Sequence, residues 1–118
     1  MKNNCICSNT LINVEQITVE PGLEKEYICF AKRLDEILKE KYCQHYICTQ
    51  VNQVTCTPTT FYVTTFYRES CDICKVIGDI EKLINCLYMR EFRCSVQRKC
   101  IFSFTNTRTV LPEPDCCF

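Results

Sequence analysis

The sequence predicts an α+β domain with the element order β-α-β-β-α-β, and three observations carry that prediction. Two long stretches repeat apolar residues three and four apart, the spacing of a helix with one buried stripe. Four stretches are rich in β-branched and aromatic residues, as strands are. Two of those strands follow one another between the helices, which is the order of the ferredoxin-like split βαβ arrangement. That arrangement gives an antiparallel sheet with both helices on one face.

Each element has its own grounds. Residues 1–9 are polar and are expected to form a disordered N-terminal segment. Residues 10–118 are expected to form a single domain, since 118 residues suffice for one and not for two. Leu11 to Val19 is rich in β-branched residues and reads as a strand, broken by Glu20-Pro21-Gly22. From Leu23 to Tyr42, the residues Tyr27, Phe30, Ala31, Leu34, Ile37 and Leu38 form one apolar stripe. Charged residues cover the other side, with glutamates early and lysines late, as the helix dipole favours.

Gln44 to Val54 and Thr59 to Tyr67 read as two strands joined around Pro58. From Phe61 to Tyr67 both parities carry large residues, so the sheet should be covered on both faces. Two helices cover one face, and a partner subunit is the economical cover for the other. Ser70 suits the N-cap of a second helix from Cys71 to Leu87, with a kink expected at Gly78 and a further turn from Met89 to Phe92. Cys100 to Val110 reads as the last strand, ended by Pro112 and Pro114.

Composition excludes several function classes. Lys plus Arg is 14 and Asp plus Glu is 14, so no electrostatic pull toward nucleic acid or an anionic membrane is expected. The local cluster Arg90, Arg93, Arg98 and Lys99 is broken by Glu91 and reads as a solvated helix end and loop. With 2 glycines and no GxGxxG or GxxxxGK pattern, the common nucleotide fingerprints are absent. No run approaches the roughly 18 apolar residues of a membrane span. The 13 cysteines are an odd count, and the first residues lack the apolar core of a secretory signal. A reduced, cytoplasmic protein is therefore expected. Cys29, Cys43, Cys48, Cys56, Cys86, Cys94 and Cys100 then read as small buried or half-buried residues.

Gln16 to Tyr27 resembles the first strand, turn and acidic helix start of the antibiotic biosynthesis monooxygenase family. Phe61 to Ser70 resembles its third strand running into the second helix, and Ile84 to Phe92 resembles the end of that helix. The resemblance runs through about residues 10–110 and rests on loose motifs. It implies a dimeric α+β barrel, a homodimer whose two sheets pack face to face, with a pocket between sheet and helices in each subunit. The family includes cofactor-independent monooxygenases of quinols and polycyclic phenols, as well as haem-degrading enzymes. Haem degradation is disfavoured: its strand-one asparagine falls on Glu15, the chain has no tryptophan, and its one histidine is not on the second helix. The resemblance thus implies a small phenolic or quinol substrate and no cofactor.

Within that frame, Asn13 and Glu15 share a parity with Leu11, Ile17 and Val19 and should point at the helices. Glu15 then reads either as a pocket acid or as a rim carboxylate paired with a lysine. His45, near the second strand, is a candidate general base or a structural histidine beside Tyr46. Tyr46, Tyr62 and Tyr67 are candidates to bind a phenolic ligand, and also ordinary packing residues. Cys71 and Cys74 form a CxxC at a helix start, the pattern of a thiol-redox site. Too few residues follow them for a thioredoxin fold. With Cys5, Cys7, Cys116 and Cys117 they do not make the paired signature of zinc, so no metal is expected. The alternatives to a cofactor-independent monooxygenase are a non-catalytic ligand-binding or interaction domain on the same fold and a thiol-redox or zinc module using Cys71 and Cys74.

Overall fold

The alternation within each strand decides the layers. In the computed structural model, which describes residues 9–108, the elements are β1 (Asn9–Val19), α1 (Glu24–Lys41), β2 (Tyr46–Gln53), β3 (Thr60–Arg68), α2 (Ile73–Phe92) and β4 (Val96–Arg108). The sheet order is β2-β3-β1-β4, with every neighbouring pair antiparallel. This is the ferredoxin-like arrangement read from the sequence. Gly22 at φ +97 makes the turn out of β1, a conformation that favours glycine. Its N–H donates to Glu24 Oε1 at 2.9 Å.

The helix-facing parity of the sheet supplies Leu11, Ile17, Val19, Phe61, Val63 and Tyr67 to the core. The helices supply Tyr27, Phe30, Leu38, Ile77, Ile80, Leu87, Tyr88 and Phe92. These residues fall into two buried groups. One is built on Ile17, Tyr27, Phe61, Tyr88 and Phe92, and the other on Leu11, Leu38, Tyr46, Tyr67 and Ile80. They meet at Leu34, Leu83 and Ile84, which pack against both. Between them the strands carry polar side chains instead of apolar ones: Asn13, Glu15, Thr49, Thr65 and Arg98.

The other parity faces away from both helices. It presents Ile12, Val14 and Phe66, each half-buried, with Tyr62 and Phe102 at 41% and 39% exposure. The large residues on both parities of β3 are therefore real, and no helix among the described residues covers the second face.

Several boundaries and burials differ from the sequence reading. The expected kink at Gly78 is absent: α2 is one helix that runs unbroken through it, at an exposed position where an added Cβ would meet open space. It begins at Ile73, and Asp72 rather than Ser70 takes the N-cap position, with Ser70 Oγ donating to Asp72 Oδ1 at 2.7 Å. β4 starts at Val96, four residues before the expected Cys100, because Gln97 to Lys99 pair with Gln16 to Thr18. Ile37, assigned to the buried stripe, is 39% exposed because it lies off the Tyr27–Phe30–Ala31–Leu38 line.

The cysteine reading is corrected as well. Cys29, Cys43, Cys56, Cys86, Cys94 and Cys100 are exposed, since they occupy turns, the edge strand and the outward sides of the helices, while Cys48 is half-buried as expected. β1 begins at Asn9. The remainder of the expected N-terminal segment, the strand end at Val110 with Pro112 and Pro114, and Cys5, Cys7, Cys116 and Cys117 lie outside the described residues.

Candidate functional site

Glu15 sits in the middle of β1, between Val63 of β3 and Cys100 of β4. Its parity sends the carboxylate under the helices, into the gap between the two apolar groups. A carboxylate there requires a partner, and β4 provides it. Arg98 stands opposite Ile17, on the same face. Its Nη2 donates to Glu15 Oε2 at 2.9 Å and its Nε approaches Oε1 at 3.4 Å, a two-pronged pair. The side chains are 18% and 26% exposed, so water screens this pair less than a surface one.

Helix α2 holds the other side of the guanidinium. Arg98 Nη1 donates to Asn85 Oδ1 at 2.7 Å, and the guanidinium carbon lies 4.2 Å from the centre of the Tyr88 ring. That cation–π contact is strengthened where water is excluded. The Tyr88 hydroxyl in turn shares a 2.7 Å hydrogen bond with the Tyr27 hydroxyl of α1. Burial pushes the Tyr88 hydroxyl up to about 12, against the opposing pull of Tyr27's hydrogen bond and Arg98's charge. Burial first, and then Tyr88, push Tyr27 well above the ordinary tyrosine range. Both phenols therefore stay protonated at neutral pH, available as donors rather than anions.

These groups surround a cavity of about 30 Å³, lined from the sheet by Asn13, Glu15, Thr49, Thr65, Tyr67, Arg98 and Phe104, and from the helices chiefly by Leu34, Ile84 and Tyr88. That is room for about two water molecules and not for an aromatic ring.

The structure brings some of the sequence candidates together and separates others. Asn13, Glu15 and Tyr67 line the cavity. Tyr46 does not; its hydroxyl is bonded to Asp35 Oδ1 at 2.5 Å and to the Thr49 hydroxyl. Tyr62 points from the opposite face and donates to Gln16 Oε1 at 3.2 Å. His45 lies in the turn before β2, with Nε2 3.1 Å from Asp72 Oδ1, and does not share the cavity with Glu15. Cys71 and Cys74 are exposed free thiols at the start of α2. Among the described residues no group of three or more His, Cys, Asp and Glu side chains is placed to hold a metal ion.

Sequence reasoning missed Arg98, Asn85, Tyr88 and Tyr27. The usable signal was parity. Val96 and Arg98 alternate with Gln97 and Lys99, so a strand begun at Val96 turns Arg98 inward beside Ile17. Starting that strand at Cys100 left Arg98 in a loop.

Comparison with known proteins yields a fold. No protein-family model and no curated protein matches the chain. Among solved structures it matches the crystal structure of a "putative antibiotic biosynthesis monooxygenase" from Bacteriodes thetaiotaomicron VPI-5482, with a TM-score of 0.53 and 9% identity over 93% of this chain and 96% of that one. An identity of 9% speaks for the backbone alone. The chain thus has the ferredoxin-like α+β fold of an antibiotic-biosynthesis-monooxygenase-like domain, as the resemblance in its sequence implied.

Proposed function

We propose that this chain is a homodimeric domain that takes a small phenolic or quinol ligand between sheet and helices, at the Glu15–Arg98 pair. The observation that supports this reading is the polar belt at the junction of the two apolar groups. A fold built for stability alone would fill that position with apolar side chains, because a buried ion pair is seldom more stable than its apolar replacement. In this reading Glu15 accepts the hydrogen bond of the ligand hydroxyl. Arg98 holds the negative charge that develops on that oxygen, and Asn13 and Tyr67 border the ring.

A carboxylate is a weak base for a phenol, since their ordinary pKa values lie roughly 6 units apart. The adjacent guanidinium has to offset most of that gap, so phenols acidified by an electron-withdrawing group are the ligands of choice. In the enzymatic form of this reading, the electron-rich anion is oxidised by molecular oxygen with no cofactor. In the non-catalytic form the site only binds.

The test uses 4-nitrophenol, whose anion absorbs visible light, titrated against the reduced protein with dissolved oxygen recorded in parallel. The phenol is added below its own pKa, so that it arrives protonated. The expected result is saturable binding marked by growth of the anion's absorption as the proton passes to Glu15, which Arg98→Ala abolishes and Glu15→Gln weakens at least about tenfold. Retention of binding in both variants overturns the site, and loss in His45→Ala instead moves it to the His45–Asp72 contact. Oxygen uptake with quinols separates the enzyme from the binding domain.

A further inference from the structure

Phe104 closes the cavity on the β4 side, and its backbone is unusual. It sits at φ 47, in the left-handed region that side-chain-bearing residues rarely adopt. The cause is the strand register. Phe102 pairs with Val14 and Thr105 with Ile12, so Ser103 and Phe104 together oppose Asn13. That is a β-bulge, and the left-handed position of such a bulge is commonly glycine. An earlier shift at Ile101 turns Phe102 to the outer face, and this bulge returns Phe104 to the inward parity of Arg98. The ring lines the cavity beside Asn13, Glu15 and Arg98, and it stands 5.6 Å from the Tyr67 ring, tilted by 44°. It also packs against the group of Leu11, Leu38 and Tyr67. An outlying backbone conformation that persists next to a candidate site points to a function for the side chain it positions.

We infer that Phe104 is an aromatic plug: its ring holds the place of a ligand's six-membered ring beside Glu15 and Arg98, and leaves that place when the ligand enters. The inference rests on the ligand site proposed above and names the shape of the ligand, a single planar ring with its hydroxyl toward Glu15. It accounts for a candidate site whose cavity of about 30 Å³ admits only water. The wild-type protein binds through the minor population in which the plug is out, so its apparent affinity is reduced by that fraction.

The test compares wild type with Phe104→Gly, whose backbone suits φ 47, and with Phe104→Ala. The probes are phenol and toluene, one with a hydroxyl and one without. Both variants are expected to bind phenol at least about tenfold more tightly than wild type. Saturating ring should raise their melting temperatures by on the order of 5 °C. Equal affinity in all three proteins overturns the plug, and if Glu15→Gln still weakens that binding the site itself survives. Tighter toluene binding in the glycine variant, with phenol binding indifferent to Glu15, upholds the plug and overturns the hydroxyl reading. No binding of either probe to any protein overturns both.

Discussion

The guanidinium of Arg98 touches two elements beyond its own: Glu15 on β1, and Asn85 and Tyr88 on α2. A lysine would keep the charge and lose the two-pronged geometry, the Asn85 bond and the flat face on Tyr88. Removing one member of a fully buried pair costs about 3–5 kcal/mol, because the other is left charged without a partner. Here both side chains keep some water contact, so Arg98→Ala should cost about 2–3 kcal/mol by urea unfolding, and Arg98→Lys about half of that. Glu15→Gln, which retains an acceptor, should cost less than Arg98→Ala. The Glu15→Gln/Arg98→Ala double variant should lose clearly less than the sum of the two single losses, since contacting residues couple. Strict additivity would mean that the pair does not act as a unit. The two partners were unequally visible beforehand. Glu15 sits in a continuous β-branched run, where alternation assigns its side without further information. Arg98 sits in Gln97-Arg98-Lys99, whose strand character comes only from pairing with β1, about eighty residues away in the chain.

At the scale of elements, Asp35 fastens α1 to the edge strand β2. Its Oδ1 accepts from the Tyr46 hydroxyl at 2.5 Å and from the Thr49 backbone N–H at 3.1 Å, while Oδ2 lies 3.0 Å from Lys39 Nζ. Burial, with the bond to Asp35 as the next cause, raises the Tyr46 hydroxyl above the usual tyrosine range, so it remains a donor. Asp35→Ala leaves a buried hydroxyl with only Thr49 and a strand N–H with no acceptor in the helix, a loss of about 2 kcal/mol. Hydrogen exchange should localise the loss, with the Thr49 amide losing protection while the amides between β1 and β3 keep theirs. Equal loss across the sheet would show that Asp35 supports the whole domain rather than β2. The helices themselves were legible to within a residue or two at most ends, because their stripes are local in sequence. The cysteines were misjudged for the opposite reason. A thiol is small enough to be at home on either side of a helix, and only the position of neighbours such as Phe30 beside Cys29 decides which side it takes.

At the scale of the molecule, element order was readable because each element announces itself locally, whereas the site was not, because it forms where four strands and two helices converge. The same strands that turn Glu15 and Asn13 toward the helices turn Ile12, Val14 and Phe66 away from them. Ile12 and Phe66 stand opposite one another, with Tyr62 and Phe102 exposed on the same face. A second copy related by a two-fold axis would meet this face with the same face, so a single substitution alters the interface twice. A specific interface of ordinary size buries about 800 Å² per partner, an area comparable to one face of a small four-stranded sheet. Phe66→Glu places two carboxylates in that interface and should convert a dimer to a monomer by light scattering. The melting temperature of wild type should rise with protein concentration, and that of the variant should not. The cavity lies on the opposite side of the sheet, so the monomeric variant should retain the Arg98-dependent binding of 4-nitrophenol. A wild type that is monomeric at high concentration, with a melting temperature independent of concentration, would overturn the face-to-face dimer. Loss of ligand binding on dissociation would show instead that the partner helps to shape the cavity across the sheet.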